Sequence, residues 1–187
     1  MYSLFTSEPA RAGYRLDYME IFNWGTFDRD IFRISPAGNN SLLTGANGSG
    51  KTTYVDALLT LLVPIKKYRF YNRSSGTNKK NERTEESYVM GAYGETQEEG
   101  KLHSKTEYIR PDKKRTYSIL LACFDNADKQ PVTLFQARWF FKGELKRAYG
   151  ICRDTLTIAG DFQPFDARGE WKKALKHRFP SGHASLQ

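Results

Sequence analysis

One short motif constrains the fold of this chain more than any other feature. Residues 45–52 read G-A-N-G-S-G-K-T, which satisfies the pattern G-x-x-x-x-G-K-[ST] in full. The apolar residues Leu42 and Leu43 precede it, and leucines at helical spacing follow it. A loop between a strand and a helix is the context that this motif requires. The sequence therefore predicts a short strand over 41–44, a glycine-rich loop, and a helix that ends at Pro64.

The spacing of the motif has a chemical reason. Glycines 45, 48 and 50 let the backbone curl with its N–H groups facing inward, at the positive end of the following helix. Such a nest binds phosphate. Lys51 is expected to reach the β- and γ-phosphates of a nucleotide, and the Thr52 hydroxyl is expected to bind Mg²⁺. The alternative, a glycine-rich turn with Lys51 capping the surface, is disfavoured because strand, loop and helix are in register.

A hydrolytic site also needs an acidic residue that holds the metal at the end of a second apolar strand, and a group that orients water. The one candidate is Asp125, which ends the apolar run 119–124. It either serves a self-contained small kinase or NTPase, or begins a turn between two strands. The turn is favoured, because Asn126 follows it directly and no glutamate follows to act as a base.

Period-2 and helical patterns predict the remaining elements. The expected strands are 14–24, 27–34, 117–124, 132–141 and 148–158. One short helix is expected near Thr84, and another from Asp166 as N-cap to about Arg178. Residues 96–105 are expected to form a loop.

Composition supports a soluble folded domain in a reducing cytosol. Twenty-nine Lys and Arg oppose 21 Asp and Glu, which gives a net charge of +8. This surplus favours an acidic partner such as nucleic acid or nucleotide, and a solvated basic surface is the equal alternative. Cys123 and Cys152 lie in apolar stretches without C-x-x-C spacing, so neither a zinc site nor a disulfide framework is indicated. No apolar run is long enough to span a membrane, and the first residues lack the apolar centre of a signal peptide.

The residues around the motif resemble a known family. Asn23-Trp24-Gly25-Thr26-Phe27, the glycine-rich loop, and Asp56-Ala57-Leu58 one turn later are similar to the N-terminal head segment of SMC-type ATPases. The Asn-Trp pair, the basic insertion after the helix and the run S-Y-V-M-G-A-Y-G at 87–94 resemble most closely the MukB/JetC branch, which includes the Wadjet plasmid-defence ATPases. The resemblance spans about residues 14–160 and is strongest before residue 65.

This resemblance implies half of an ATP site. In the family, a C-terminal part beyond a long coiled coil supplies the metal-binding aspartate, the catalytic glutamate and a signature serine motif. The sequence shows no such signature, no Asp-Glu pair and no heptad run. The implied protein is therefore an N-terminal fragment with little or no hydrolysis of its own. Its implied partners are the C-terminal half of the same head, a second head, double-stranded DNA, and kleisin-type and accessory subunits in the bacterial cytoplasm.

The implied fold class is an α/β P-loop NTPase lobe of the ABC/SMC head type. Its mixed sheet would include the strand before the loop, and residues 117–158 would form an antiparallel β subdomain. The expected organisation is a flexible tail over 1–13, a lobe over 14–165 with a basic insertion at 65–83, and a C-terminal helix and tail over 166–187 that could begin the coiled-coil arm.

The same resemblance implies which residues contact the cofactors, which are ATP and Mg²⁺. The expected phosphate and Mg²⁺ contacts are Gly45, Asn47, Gly48, Ser49, Gly50, Lys51, Thr52 and Thr53. Asn23 and Trp24 lie where family members approach the base or ribose, and a core aromatic is the equal alternative for Trp24. The family's metal-contacting glutamine stays unassigned, because neither Gln136 nor Gln163 has a recognisable setting.

The basic insertion interleaves lysine and arginine with aromatic residues. Such a segment could neutralise DNA phosphates without reading bases, so that affinity falls steeply with salt. A solvated loop is the equal alternative. The DNA-contact candidates are Lys66, Lys67, Arg69, Arg73, Lys79, Lys80 and Arg83, and a weaker second cluster is Arg110, Lys113, Lys114 and Arg115. A DNA-binding module with a vestigial phosphate loop is the remaining alternative function.

Overall fold

The computed structural model describes residues 12–63, 65–69, 71, 83–97, 104–162, 170–178 and 184–186. The strands are β1 Arg15–Trp24, β2 Phe27–Ile34, β3 Ala92–Gln97, β4 Ser104–Tyr108, β5 Tyr117–Asp125, β6 Val132–Phe141, β7 Glu144–Cys152 and β8 Ala184–Leu186. The helices are α1 Lys51–Leu62, α2 Glu85–Met90, α3 Ile158–Asp161 and α4 Glu170–Arg178, with a 3₁₀ turn at Lys66–Tyr68. No helix in these described segments is long and apolar enough to cross a membrane.

Six strands form one sheet in the order β2-β1-β5-β6-β7-β8, and every neighbouring pair is antiparallel. Strands β3 and β4 pair with each other and form a separate two-stranded ribbon. The central strand β5 is buried along nearly its whole length, because helices cover both faces of the sheet. The fold thus has three layers, with the sheet in the middle.

One face of the sheet packs against α3 and α4. Phe135 of β6 makes edge contacts with Phe162 and Trp171, at ring-centroid distances of 5.0 and 6.1 Å. The hydroxyl of Tyr18 donates to the carbonyl oxygen of Leu156 at 2.6 Å. Burial of each such large side chain contributes about 1.5–3 kcal/mol, so this face anchors the region after β7 to the sheet.

The opposite face packs against α1 and α2. Ala57 and Leu61 of α1 are buried against this face. The hydroxyl of Tyr54 donates to the carbonyl oxygens of Met19 at 2.7 Å and Phe32 at 3.0 Å. These bonds fix α1 across β1 and β2, and so they set the position of the loop that precedes the helix.

Most elements agree with the sequence prediction. Strands β1, β2, β5 and β6 and helix α1 lie where the patterns place them, to within a residue at their ends. Thr84 caps α2, since its hydroxyl accepts from the backbone N–H of Ser87 at 3.1 Å and the Ser87 hydroxyl accepts from the N–H of Thr84 at 2.9 Å. The expected fold class, an α/β P-loop lobe with an antiparallel β subdomain, is confirmed, but the expected mixed sheet is not observed, because every described pair of neighbouring strands is antiparallel.

The strand predicted over 41–44 is wrong. These residues have no regular secondary structure, and Leu42 is 88% exposed. A strand needs a neighbour that accepts its hydrogen bonds, and no described strand pairs with this segment. The apolar side chains of Leu42 and Leu43 therefore stay exposed within the described part of the chain.

Other boundaries also differ from the prediction. Strand β7 ends at Cys152 rather than at residue 158, where helix α3 begins. Strand β7 begins at Glu144 because Lys142 and Gly143 form a tight turn, with φ of +51° and +82°, directly after β6; positive φ at both positions is typical of two-residue hairpins. The predicted loop at 96–105 is partly strand, since β3 extends to residue 97 and β4 begins at residue 104. Residues 1–11 of the tail predicted over 1–13, Pro64 and the Asp166 cap lie outside the described residues.

Candidate functional site

The glycine-rich loop adopts backbone conformations that favour glycine. The φ angles are +152° at Gly45, +84° at Gly48 and +89° at Gly50, and side-chain-bearing residues adopt this region only at a cost. Space is also restricted, because a Cβ atom on Gly50 would lie 2.5 Å from Cζ of Phe27. Backbone geometry therefore favours glycine at all three positions, and packing against Phe27 adds a second requirement at Gly50.

Lys51 turns back across the loop. Its Nζ donates to the carbonyl oxygens of Gly45 at 2.7 Å and Ala46 at 2.8 Å, and lies 3.4 Å from Oγ of Ser49. These acceptors are neutral, whereas a phosphate oxygen is charged and accepts more strongly. The ammonium group is thus held at the loop by contacts that an incoming anion can outcompete.

The start of α1 is suited to an anion and a hard cation. Gly50 is the N-cap, no side chain caps the helix, and the first turn contains no acidic residue. The first N–H groups and the positive end of the helix dipole therefore meet no negative side chain within the first turn. Thr52 lies in this first turn and offers the type of oxygen ligand that Mg²⁺ prefers. Within the described residues, no group of three His, Cys, Asp or Glu is placed to hold a metal.

The turn between β1 and β2 supports the start of α1. A Cβ atom on Gly25 would lie 2.5 Å from Cγ2 of Thr53, so the turn and the helix are in direct contact. The ring of Phe27 packs beneath Gly50 and lies 4.7 Å from Phe32, between ring centroids. We call the turn residues 25–28 the floor of the loop.

Asn23 and Trp24 do not have the geometry of nucleotide contacts. The Asn23 amide donates to the carbonyl oxygen of Tyr117 at 3.1 Å and accepts from the N–H of Arg29 at 2.9 Å. Trp24 is fully buried and stacks on Tyr88 at 4.7 Å with an interplanar angle of 9°. Both side chains are engaged within the protein, so the expected approach to base or ribose is corrected to a role in the hairpin and the core.

Asp125 ends strand β5 and leads into the turn before β6, as the favoured interpretation holds. It ends β5 opposite Arg15, at the start of β1, while Gly25 follows the other end of that strand. Nine residues of strand span about 30 Å, so Asp125 lies far from the loop. Its carboxylate accepts from the N–H of Asn126 at 3.0 Å and pairs with Lys129 at 3.3 Å. The self-contained enzyme thereby loses its candidate metal ligand.

Gln136 has a structural role. Its amide nitrogen donates to the carbonyl oxygen of Thr60 at 2.7 Å, and its oxygen accepts from Arg138. The side chain is thus fixed at the end of α1 that lies away from the loop. Gln163, the other glutamine considered for a metal contact, lies outside the described residues.

The DNA-contact candidates separate by exposure. Lys66 and Lys67 are exposed on the 3₁₀ turn directly after α1. Arg69 is 7% exposed and pairs with buried Glu85, so its assignment to DNA is corrected. Arg83 is half-buried and lies 3.2 Å from the Tyr88 hydroxyl. The candidates outside the described residues are Arg73, Lys79 and Lys80.

The second basic cluster also divides. Arg110 is bonded to five acceptor atoms and is corrected from a DNA candidate to a structural residue. Lys113 pairs with Glu86 at 2.5 Å. Lys114 and Arg115 are exposed in the turn before β5.

Sequence reasoning missed a buried charge cluster beside α1. The carboxylate of Glu85 pairs with Arg69, and lies 3.4 Å from Arg138 and 3.5 Å from Arg147. The signal lay in β6, whose apolar run V-T-L-F-Q-A-R-W-F-F is interrupted by Gln136 and Arg138 two positions apart, on one face of the strand. The cluster links α2, β6 and the segment after α1.

A comparison with protein families agrees with the location of the site. Residues 16–78 match the family described as the P-loop containing region of AAA domain, and this range contains β1, β2, the loop and α1. No curated protein matches the sequence. A similar solved structure is described as "Structural biochemistry of ATP-driven dimerization and DNA stimulated activation of SMC ATPases"; it is 16% identical, covers 78% of this chain and 74% of that chain, and has a TM-score of 0.46.

Proposed function

We propose that this chain is the ATP-binding N-terminal lobe of an SMC-like ATPase head that acts on DNA. The loop residues 45–53 bind the nucleotide phosphates, and Thr52 together with those phosphates holds Mg²⁺, whose charge offsets theirs. The lobe corresponds to residues 14–165. The observation that carries the proposal is that the described residues cover α1, the helix of the phosphate loop, on one side only.

The uncovered side of α1 is apolar. Val55 and Leu62 are each 51% exposed and lie two turns apart on one face of the helix. Leu43 before the loop, and Ile65 and Tyr68 after the helix, are also exposed. Single exposed leucines are ordinary, whereas a stripe along one helix indicates a packing partner. We call this surface the outer face of α1.

A partner for the outer face would also complete the chemistry. A segment that pairs with residues 41–44 would turn them into a strand and bury Leu42 and Leu43. The missing metal-binding aspartate and catalytic glutamate must approach the same loop, because Asp125 lies at the far end of β1. We propose that the C-terminal half of the same head is this partner, and that a second head closes over the nucleotide.

The outer face can be tested by charge insertion in the full-length protein. Val55→Glu with Leu62→Glu should abolish ATP turnover, because two carboxylates would be buried against the partner. In the isolated chain the same two substitutions should change the free energy of unfolding by less than about 1 kcal/mol. The reason is that both side chains are already half-exposed. Turnover assays and urea titrations measure the two effects.

A matched control is Phe141→Glu with Ile151→Glu. These positions lie on strands β6 and β7 and are 57% and 52% exposed. These substitutions should leave turnover unchanged. Equal loss of turnover in the two double variants would show that the outer face of α1 has no special partner. Strong destabilisation of the isolated chain by Val55→Glu with Leu62→Glu would show the same.

The DNA contact is proposed for the exposed lysines after α1. Lys66→Glu with Lys67→Glu should weaken binding of duplex DNA about tenfold or more at 100 mM salt, and should reduce the salt slope by about 2, one for each lost phosphate contact. Fluorescence anisotropy at several salt concentrations measures both values.

The control for this charge reversal is Lys173→Glu with Lys176→Glu, which changes the net charge equally on the exposed side of α4. DNA binding should persist in the control. A similar loss in both double variants would mean that the total charge, rather than the 3₁₀ turn, determines affinity.

In the full complex, the proposed function is anti-plasmid defence by DNA loop extrusion of the MukB/JetC type. ATP-driven engagement of two heads would move or bend the DNA. Kleisin-type and accessory subunits would join the complex, and it would act on nucleoid or plasmid DNA in the bacterial cytoplasm. The motif resemblance supports this finer proposal.

A further inference from the structure

Arg110 connects three parts of the molecule next to the phosphate loop. It follows the ribbon strand β4, and its side chain is 9% exposed. Its guanidinium nitrogens donate to five oxygen atoms: the carbonyls of Val89 at 2.8 Å, Gly25 at 2.8 Å, Tyr88 at 3.1 Å and Phe27 at 3.2 Å, and Oδ1 of Asp28 at 2.9 Å. The N–H groups of a surface arginine would donate partly to water, whereas those of Arg110 donate to oxygen atoms of the protein.

The acceptors belong to two elements that meet beneath the loop. Gly25, Phe27 and Asp28 lie in the floor of the loop, and the other two carbonyls end α2. Gly91 permits the approach, since a Cβ atom there would lie 2.8 Å from both Nη2 of Arg110 and the carbonyl oxygen of Gly25. The hydrogen bonds of Arg110 therefore join the floor to α2, and Gly91 leaves the space that the guanidinium group needs.

The floor in turn touches the residues that hold phosphate. Gly25 contacts Thr53, and Phe27 contacts Gly50, at positions where a single added carbon would clash. Two left-handed backbone positions lie in or just before the floor, with φ of +58° at Gly25 and +52° at Asn23. The left-handed conformation is costly for the non-glycine Asn23 and persists when surrounding bonds enforce it.

We propose that Arg110 is a positioning residue for the phosphate loop, and that its guanidinium holds the floor in the place from which it supports Gly50 and Thr53. The inference rests on the proposed function, because its consequence is a change in nucleotide affinity. Arg110 acts through the floor and touches no nucleotide itself.

Arginine is needed here because of its shape. A planar fork with five N–H donors can serve acceptors on two elements at once, whereas a lysine ammonium is a single point of charge. In Arg110→Lys the pair with Asp28 can survive, while the buried carbonyl of Gly25 loses the guanidinium as its donor. The carbonyl of Tyr88 keeps the backbone N–H groups of Gly25 at 2.8 Å and Gly91 at 3.2 Å. The floor would then be held to α2 mainly by that single backbone bond from Gly25, and it would fit less precisely beneath the loop.

The test compares two lysine substitutions in the full chain. Arg110→Lys should raise the Kd for MgATP about tenfold or more, and it should raise the Kd for tripolyphosphate by the same factor, because the loop and not the base contact is disturbed. Arg33→Lys is the control: Arg33 lies on β2 of the same hairpin, pairs with Glu20 at 3.0 Å and stacks on Tyr18 at 3.7 Å. It should lower stability without changing either Kd.

Titrations at a temperature where both variants are folded, with urea unfolding in parallel, separate positioning from stability. Asp28→Asn is a milder variant that keeps the carbonyl bonds and should raise both Kd values about threefold. Unchanged affinity in Arg110→Lys or, if that variant does not fold, in Asp28→Asn would overturn the inference, as would an equal loss in Arg33→Lys.

If the unaltered chain binds no MgATP, or if Lys51→Ala leaves its binding unchanged, the proposed function fails and this inference fails with it. Normal binding that Lys51→Ala abolishes and Arg110→Lys does not alter would overturn this inference alone.

Discussion

Replacing Lys51 with alanine is expected to weaken the binding of MgATP about 100-fold while the fold stays intact. The ammonium group contacts only loop atoms, namely two carbonyl oxygens and a hydroxyl. Its removal therefore costs little in the unliganded protein. With nucleotide bound, it removes charge-assisted bonds to phosphate, each worth about 1.5–3 kcal/mol, and about 1.4 kcal/mol corresponds to a tenfold change in Kd.

Isothermal titration with MgATP measures this effect, and circular dichroism checks the fold. Lys67→Ala is the matched control, because Lys67 is an exposed lysine beyond the other end of α1. It should bind MgATP like the unaltered chain. Binding that survives in Lys51→Ala would mean that the glycine-rich loop is not the nucleotide site.

The largest expected effect on stability is at Glu85. Glu85→Gln should lower the free energy of unfolding by about 3–5 kcal/mol, because removing one partner leaves buried charges without compensation. Glu85 is 3% exposed, and its partners Arg69 and Arg138 have side-chain exposures of 1% and 0%. Urea unfolding at neutral pH measures the loss.

The neighbouring residue supplies the control for that measurement. Glu86 also lies in the first turn of α2 and pairs with Lys113, but both side chains are about 40% exposed or more. Exposed pairs contribute between 0 and about 1 kcal/mol. Glu86→Gln should therefore cost at most about 1 kcal/mol, and equal losses in the two variants would contradict the assignment of a buried cluster.

The same cluster predicts a pH dependence. Burial alone would raise the pKa of Glu85, but the guanidinium groups of Arg138, Arg69 and Arg147 outweigh burial and hold its pKa below the usual 4.5. A carboxylate with a lowered pKa in the folded state contributes stability that is fully present above the unfolded-state pKa and is lost as the pH falls through the folded-state value. Unfolding should thus become easier below about pH 4.5, and Glu85→Gln should flatten this part of the profile. A variant profile parallel to that of the unaltered chain would contradict this role.

The parts of the fold that the sequence predicts are those determined by local pattern. Strand β1 follows from alternation, α1 from leucine spacing, and the loop from glycines whose positive φ the structure reproduces. The segment 41–44 has the composition of a strand, but a strand also requires a neighbour. Composition cannot show whether that neighbour is present, so this element was predicted wrongly.

The roles of charged residues depended on distant partners. Lys67 and Arg69 lie two positions apart in one basic run, yet Lys67 is exposed while Arg69 is buried because Glu85 meets it from α2. Arg110 looked like part of a basic hairpin turn, whereas four carbonyl groups from β1–β2 and α2 converge on it. Such contacts join residues up to 85 positions apart, and no local pattern encodes them.

The central claim is that this chain holds half of an ATPase site, and a turnover measurement on the chain alone tests it most directly. Mixed with MgATP, the chain should bind nucleotide and release phosphate far more slowly than the roughly 1 per second at which typical enzymes operate. Lys51→Ala should remove the binding. Phosphate release at about 1 per second or faster, abolished by both Lys51→Ala and Asp125→Ala, would contradict the account and identify a complete enzyme.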